Sequence, residues 1–480
     1  DSTLIDQLKF GFDMSIDRDK IISVPYTNHK SANIEYKVID EFVCKHYNSG
    51  AISGPYDSKP LPVVIHPSPL QVAVSSAGKK RAVIDMSYPR GSSVNDAIPR
   101  DWSKVAGYSG KFRLPTHDQV CKRVMELEDP VMAITDLKAY YTQLPSDIND
   151  APYMTFIWRS QIWIHRMLPF GARSSCLAAQ RVTEAVCAIH QAVNQGHVSG
   201  YVDDFNQVEE TVYSSPAHRA FHELLHRLGL DRSEDKDQFP GKLRVFLGLL
   251  YNLFTRHLQL PEEKLNRVLN LIEEWLSMNQ ASKSQLEALS GLLNHVSTVV
   301  HAGRPFSSMI YDLIQSEEFP VPVDQDLKDD LIMWKSFLLS QPTCMSTMKI
   351  AIDLPIDCEL AIAAKRLKCV IRCEENNYGY EVKCDWSIPP PIMYIVALWI
   401  VAVFHPHVIE RSVLAISVPT KVALKAINRG TTTCKQARKL IRDLWLRQAH
   451  LDSHVKAFLG PCNTNWLFEN YLEFKNVYLP

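Results

Sequence analysis

The chain has 480 residues, 46% of them hydrophobic and 22% charged, with a formal net charge of −1. That balance excludes a disordered or fibrous polymer, and the length suits two or three globular domains. A neutral total supplies no global basic field, so any nucleic-acid contact must rest on a local Lys/Arg surface.

The first hundred residues are rich in Pro, Gly and Ser and carry short β-type runs such as "PVVIHPSPLQVAV" and "KKRAVIDMS". No signal peptide is expected in the opening "DSTLIDQLKFGFD", which mixes polar and apolar residues. A charged helical pattern follows in "THDQVCKRVMELE", then a strand in "VMAITDLKAYYTQLP". In "YMTFIWRSQIWIHRMLPFG" apolar residues alternate across a polar Arg159-Ser160-Gln161 turn, which predicts a hairpin. After "PFGARSS" a small-residue helix is expected from about Cys176 to Gln195, ending at Gly196. "VSGYVDDFNQVEE" reads as a second hairpin. From 260 to 340 the pattern is helical, with apolar residues three and four apart in "PEEKLNRVLNLIEEWLSM". Residues 349 to 480 mix short strands and helices and are expected to form a separate unit.

The apolar run from Ile392 to Phe404 is too short for a bilayer of about 30 Å and predicts a buried helix in a soluble, intracellular protein. The eleven cysteines follow no disulfide framework, which suits reduced thiols in the cytoplasm or nucleus. Cys358, Cys369, Cys373 and Cys384 lie closer together, but their apolar flanks read as a strand with alternating faces rather than a zinc site.

In "GYVDDFNQV" two adjacent carboxylates, Asp203 and Asp204, sit at the tip of the second expected hairpin. Turn chemistry alone explains most such pairs. "AITDLKAYY", however, supplies a third acid, Asp136, at the end of an apolar strand. A strand carboxylate with a hairpin-tip pair is the donor set that two-metal phosphoryl transfer needs, because Mg²⁺ takes hard oxygen ligands held on rigid elements.

Together "DLKAYYTQLP", "PFGARSS", "YVDDF", "LGLDRSEDKDQFPGKLRVFLGLLY" and "LPEEKL" resemble the successive palm motifs of retroelement reverse transcriptases, in order. "GPYDSKPLP", "PSPLQVAV", "KKRAVIDMSYPRGSSVND" and "LEALSGLLNHVSTVVHAGRPF" narrow the resemblance to retrotransposons with tyrosine recombinases, the DIRS group, over roughly residues 40 to 340. The resemblance implies an α+β right-hand polymerase of fingers, palm and thumb, followed by a ribonuclease H-like α/β domain. Its boundaries would be an N-terminal extension to 40, fingers and palm over 41–255, thumb or connection helices over 256–345, and the ribonuclease H-like part over 346–480.

By position, the resemblance makes Asp136, Asp203 and Asp204 the catalytic metal ligands for two Mg²⁺ ions, with Mn²⁺ as a substitute. Leu137, beside Asp136, joins both the metal and the nucleotide sets. Arg81, with Lys80 before it, would lie against the incoming triphosphate, and Tyr141 would form a steric gate beneath the sugar. Phe170 and Gly171 match the loop under nucleotide and template, and Lys236 matches a lysine that protonates pyrophosphate. Phe246, Leu247 and Gly248 match the turn that grips the primer. The implied partners are an RNA or DNA template with its primer, dNTPs, and a protein partner through the C-terminal domain, with no membrane.

The chain departs from the family pattern in places. Ala139 and Tyr140 replace an Asp and an Ala, and Ser175, Cys176 and Ala179 stand where Ser-Ala-Pro and a later Phe are usual. The basic residue common after "SPLxxV" is missing, leaving Lys79 and Lys80 nearer to Arg81. In the C-terminal part, "MKIAIDLPIDC" and "HVKAFLGPCNTNWLFENY" keep a ribonuclease H outline without its acids. Asp353 and the nearby Asp357 remain, but Ile392-Met393, Val418-Pro419 and Trp466-Leu467 occupy the other positions. One or two carboxylates cannot hold two divalent ions, so no nuclease activity is expected. A non-catalytic scaffold or nucleic-acid-binding subunit is the alternative reading.

Overall fold

The computed structural model describes residues 2–21, 27–57, 64–74, 78–101, 104–105, 114–194, 196–340, 345–347, 351–354, 356–361, 366–373, 376–383, 388–432, 434–460 and 474–479. The chain packs as two compact units, Asp1–Thr116 with Asp129–Gly241, and His117–Glu128 with Lys242–Pro480.

The first unit contains β1 (Ile52–Asp57), β2 (Leu70–Val74), β3 (Lys80–Ile84), β4 (Pro130–Asp136), β5 (Thr155–Trp158), β6 (Gln161–His165), β7 (Val198–Tyr201), β8 (Asp204–Glu210) and β9 (Gln238–Gly241). Its main sheet runs β7-β8-β4-β9, all antiparallel, with β4 buried along its whole length. The apolar run "PVMAI" explains this, since a central strand covered on both faces reads as continuous rather than alternating hydrophobicity. Strands β2 and β3 form a separate hairpin, and β1-β6-β5 a three-stranded sheet. In the β5–β6 hairpin Trp158 pairs with Gln161, so the turn is Arg159 and Ser160, both at positive φ, and Gln161 already belongs to the strand. The small-residue helix spans Arg173–Asn194, three residues earlier than its pattern suggested. It packs on β7, while the helix Thr211–Arg227 packs on β8, β4 and β9. Residues near the N-terminus belong to the same core: Leu4, Phe12 and Met14 are buried, and the Met14 N–H donates to Asp150 Oδ2 at 2.8 Å.

The second unit contains β10 (Leu243–Phe246), β11 (Leu249–Asn252), β12 (His257–Gln259), β13 (Gln280–Ala281), β14 (Val321–Pro322), β15 (Met345–Thr347), β16 (Ala351–Asp353), β17 (Ile356–Ala361), β18 (Arg366–Cys373), β19 (Asn376–Lys383), β20 (Val413–Val418), β21 (His454–Leu459) and β22 (Phe474–Tyr478). Helices Glu262–Ser277, Lys283–Val296 and Gln325–Leu339 follow the 3.6-residue pattern of the sequence. Strands β16, β20 and β21 pair in parallel, and β17-β18-β19-β22 form a second sheet. Cys369, on β18, is buried, as is its neighbour Val370.

The apolar run is the helix Met393–Phe404, buried from Tyr394 to Ala402. It packs against the helix Lys435–His450 in one core with Leu414 and Ile416 of β20 and Val455 and Ala457 of β21. Its one indole N–H, on Trp399, donates to Asp443 Oδ2 at 2.6 Å. Among the described residues no helix is long and apolar enough to cross a membrane.

Candidate active site

The "GYVDDF" stretch closes β7 onto β8 with Tyr201 opposite Asp204, which leaves Val202 and Asp203 as the turn. Val202 adopts φ +56°, a region where a β-branched residue is strained by about 1–3 kcal/mol. Side chains of the helix Arg173–Asn194 hold it there. The Val202 N–H donates to Gln180 Oε1 at 2.8 Å, and Thr183 Oγ1 donates to the Val202 carbonyl at 2.5 Å. Gln180 Nε2 also donates to the Gly200 carbonyl at 3.1 Å. Gly200 lets the helix approach this closely, because a Cβ there would lie 2.3 Å from Thr183 Cγ2.

Strand β4 lies beside β8 with Asp136 directly opposite Asp204, and the Leu137 N–H donates to the Asp203 carbonyl at 2.9 Å. Side-chain alternation turns the next pair, Thr135 and Phe205, toward the helix Thr211–Arg227, where they meet His222 and Phe221. Asp136 and Asp204 therefore share the opposite face. Two like charges directly across a ladder repel, and these are largely removed from water as well. Burial pushes Asp204 up to about 6, with the charges of Asp203 and Asp136 adding to the shift. Burial raises Asp203 too, helped by Asp136 and opposed by Lys236.

Lys236 supplies the counter-charge. Its Nζ donates to Asp136 Oδ1 at 2.7 Å, a bond that holds the ammonium's pKa above its usual value. The chain brings it there because the Ser233 N–H donates to the Asp136 carbonyl at 2.7 Å and the turn Glu234–Lys236 follows at once. Below this turn Arg232 pairs with the almost wholly buried Asp237.

Three carboxylates at adjoining positions form a hard-oxygen donor set of the kind that binds Mg²⁺ or Mn²⁺, and the ammonium against Asp136 shows that the cluster accepts a cation. Among the described residues, no three His, Cys, Asp or Glu side chains are arranged to hold an ion as they stand. Lys236 Nζ, 2.7 Å from Asp136 Oδ1, competes with any other cation for that oxygen.

Around the carboxylates, Tyr141 is half-buried and meets Phe170 edge to face, with ring centroids 4.6 Å apart at 86°. Burial also raises its hydroxyl pKa well above the ordinary tyrosine range. Phe170 is exposed. Gly171 takes φ +105° and passes so near β3 that a Cβ would meet the Ile84 carbonyl at 2.8 Å. The buried Asn95 ties this loop down: its Nδ2 donates to the Gly171 carbonyl at 2.7 Å, and its Oδ1 accepts from the Arg173 N–H at 2.7 Å. Arg81 is exposed on β3. Lys80, beside it, is engaged by Glu35 at 2.5 Å.

The turn Phe246–Leu249 lies in the second unit, with Leu247 at φ +48° and Gly248 at φ +73°. Lys264 Nζ donates to the Gly248 carbonyl at 3.2 Å and His295 Nε2 to the Leu247 carbonyl at 3.1 Å. The Phe246 ring is buried, so this turn presents its backbone and not that ring. Of the nuclease-type positions, Ile392 and Met393 open the apolar helix and Val418 ends β20. Asp353 and Asp357 lie on β16 and β17, but their side chains, like Trp466 and Leu467, fall outside the described residues.

Gln180, Thr183, Asn95 and Ser233 were not singled out from the sequence. Gln180 and Thr183 stood three apart among small residues, a polar pair on a buried stripe that could have been noticed; nothing local marks Asn95 or Ser233.

No protein-family profile matches the chain, and no curated protein matches it. Among solved structures, it is similar to the foamy virus protease-reverse transcriptase. Against that enzyme in complex with double-stranded DNA the TM-score is 0.54 at 12% identity, covering 96% of this chain and 92% of that one. Against its RNA/DNA hybrid complex the TM-score is 0.54 at 13% identity, covering 97% of this chain and 58% of that one. A further double-stranded DNA complex gives 0.52 at 13% identity, over 92% and 71% of the two chains. At such identity the likeness is one of fold, and the chain has a retroviral-type reverse transcriptase fold.

Proposed function

We propose that the chain is a template-directed DNA polymerase of the reverse-transcriptase type, which extends a primer 3′-hydroxyl with dNTPs. The observation that carries this reading is the cross-strand pairing of Asp136 with Asp204, with Asp203 at the adjoining turn, in a chain with a reverse-transcriptase fold. The solved relatives in complex with DNA or an RNA/DNA hybrid support a primer–template as the partner. Origin in a DIRS-group retrotransposon rests on the quoted motifs.

Asp136, Asp203 and Asp204, with Leu137 beside them, would hold two Mg²⁺ ions, Mn²⁺ serving in their place. When bound, such ions lower the pKa of a primer 3′-hydroxyl and neutralise the departing pyrophosphate. Arg81 offers an exposed guanidinium to the triphosphate, and Lys80 joins it on leaving Glu35. Tyr141, braced by Phe170, sets a wall against a ribose 2′-hydroxyl, while Phe170 and Gly171 support the nucleotide and template. Lys236, whose ammonium the carboxylates stabilise, would leave Asp136 and give its proton to pyrophosphate. In the second unit, the backbone turn of Leu247 and Gly248 would meet the primer. Residues 346–480 would be a ribonuclease H-like domain without nuclease activity, since apolar residues stand at most of its ligand positions.

A second reading, a non-catalytic nucleic-acid-binding or scaffold subunit, is favoured by the Lys236–Asp136 ion pair, which partly neutralises the acids without any metal. Primer extension by the full chain on RNA and DNA templates, with dNTPs and Mg²⁺ or Mn²⁺, separates the two. RNA-templated extension supports the polymerase. Binding of primer–template with no incorporation in either ion supports the scaffold.

A further inference from the structure

The strained turn carrying Asp203 is held by two buried side chains, Gln180 and Thr183, and Thr183 is in turn braced by the buried Tyr140. Gln180 uses both ends of its amide, donating to the Gly200 carbonyl and accepting from the Val202 N–H. Thr183 has a single hydroxyl proton, and the Val202 carbonyl at 2.5 Å is its nearest acceptor. The hydroxyl of the buried Tyr140 then completes the chain, lying 3.2 Å from Thr183 Oγ1 and 3.1 Å from the Ala179 carbonyl. Gln180 and Thr183 are 2% and 0% exposed, so water cannot take over these bonds. Hydrogen bonds linked in this way strengthen one another in a low-dielectric interior.

We propose that Gln180, Thr183 and Tyr140 are a positioning clamp that keeps Val202 at positive φ and so aims the Asp203 carboxylate at the reacting groups. The inference rests on the polymerase reading for its catalytic consequence. Its structural half, that these side chains hold the turn, stands independently. A relaxed Val202 would return to the extended region, rotating the following peptide and carrying Asp203 away from Asp136.

The test uses the full chain with Thr183→Val, Gln180→Met and Tyr140→Phe, each near in size to the residue it replaces, and Thr183→Ser as the conservative rescue. Amide hydrogen exchange over residues 202–204 is measured beside kcat and KM for a dNTP. The clamp predicts that Thr183→Val and Gln180→Met speed exchange of these amides by about tenfold or more, and lower kcat by about tenfold or more. KM should stay within about twofold, because an interaction needed only at the transition state leaves ground-state binding unchanged. Tyr140→Phe, which removes one oxygen, should move both readouts in the same direction by less, and Thr183→Ser should restore both. Unchanged exchange in Thr183→Val and Tyr140→Phe would overturn the clamp. Faster exchange with an undiminished kcat would overturn its catalytic role. A wild-type chain that adds no nucleotide contradicts the polymerase reading instead, and exchange alone then decides whether the clamp holds the turn.

Discussion

Tyr141 and Tyr140 are adjacent in the chain and differ in burial. Tyr141 keeps a half-exposed ring against Phe170. If it is the sugar gate of the proposed polymerase, Tyr141→Ala should admit ribonucleotides. The dNTP-to-NTP selectivity ratio measures this, and a ratio that stays fixed makes Tyr141 a packing residue. Tyr140 is 2% exposed, and Tyr140→Ala should lower stability by about 3 kcal/mol through the cavity it leaves, read as a fall in the denaturant midpoint. In the sequence, Tyr140 and Ala179 looked like two separate departures from a family pattern. In space the two positions meet, the Tyr140 hydroxyl lying 3.1 Å from the Ala179 carbonyl. That contact is invisible along the chain because its two halves are 39 positions apart. Asp136, Asp203 and Asp204 were legible for the opposite reason: charged residues are conspicuous among apolar strand residues, whatever the distant packing.

At the scale of the element, the β7–β8 hairpin with β4 concentrates three acids where neighbouring strands force them together. Asp204 titrates near 6, above its ordinary 3.8. A carboxyl raised by folding contributes stability below its ordinary pKa and loses that contribution as pH rises through the folded value. The metal-free site therefore grows less favourable between about pH 4 and pH 6, and divalent cations, which need the ionised form, should counter this increasingly as pH rises. We expect Mn²⁺ to raise the thermal midpoint little at pH 5 and clearly more at pH 7.5, with the difference flattened in Asp204→Asn. An equal gain at both pH values would mean that the ion acts elsewhere. Gly200→Ala should destabilise the same hairpin by about 2 kcal/mol, because the added methyl overlaps Thr183, and urea denaturation reads it directly. The hairpins and amphipathic helices were readable from alternation and three-to-four spacing. The position of Val202 at positive φ was not, since a β-branched residue argues against that conformation and only the buried partners on a distant helix hold it there.

Across the whole molecule, the division into two units follows packing that no local pattern announces. Residues 2–16 contribute Phe12 and Met14 to the first core, though nothing periodic marks them. The C-terminal strands and helices pack in the second unit with residues 301–339. Arg442 pairs there with the buried Asp330 at 2.8 Å, and Arg438 with Asp312 at 2.9 Å. Burial outweighs the attraction of Arg442 and pushes Asp330 up to about 6. Arg442→Ala would leave that carboxyl buried without its cation, and stability should fall by about 3 kcal/mol, measured by chemical denaturation. Parallel pairing of β16 with β20, and of β20 with β21, joins segments roughly forty or more residues apart, so no local pattern announces it. The proposed polymerase site lies in the first unit, and it is tested most directly by single-dNTP incorporation on an RNA-templated primer by the wild-type chain and by Asp203→Asn, with primer–template binding measured in parallel. A polymerase site there should give incorporation by the wild type with Mg²⁺ or Mn²⁺, and a loss of about a thousandfold or more in Asp203→Asn with binding intact. Incorporation at the wild-type rate by a folded Asp203→Asn chain would contradict it.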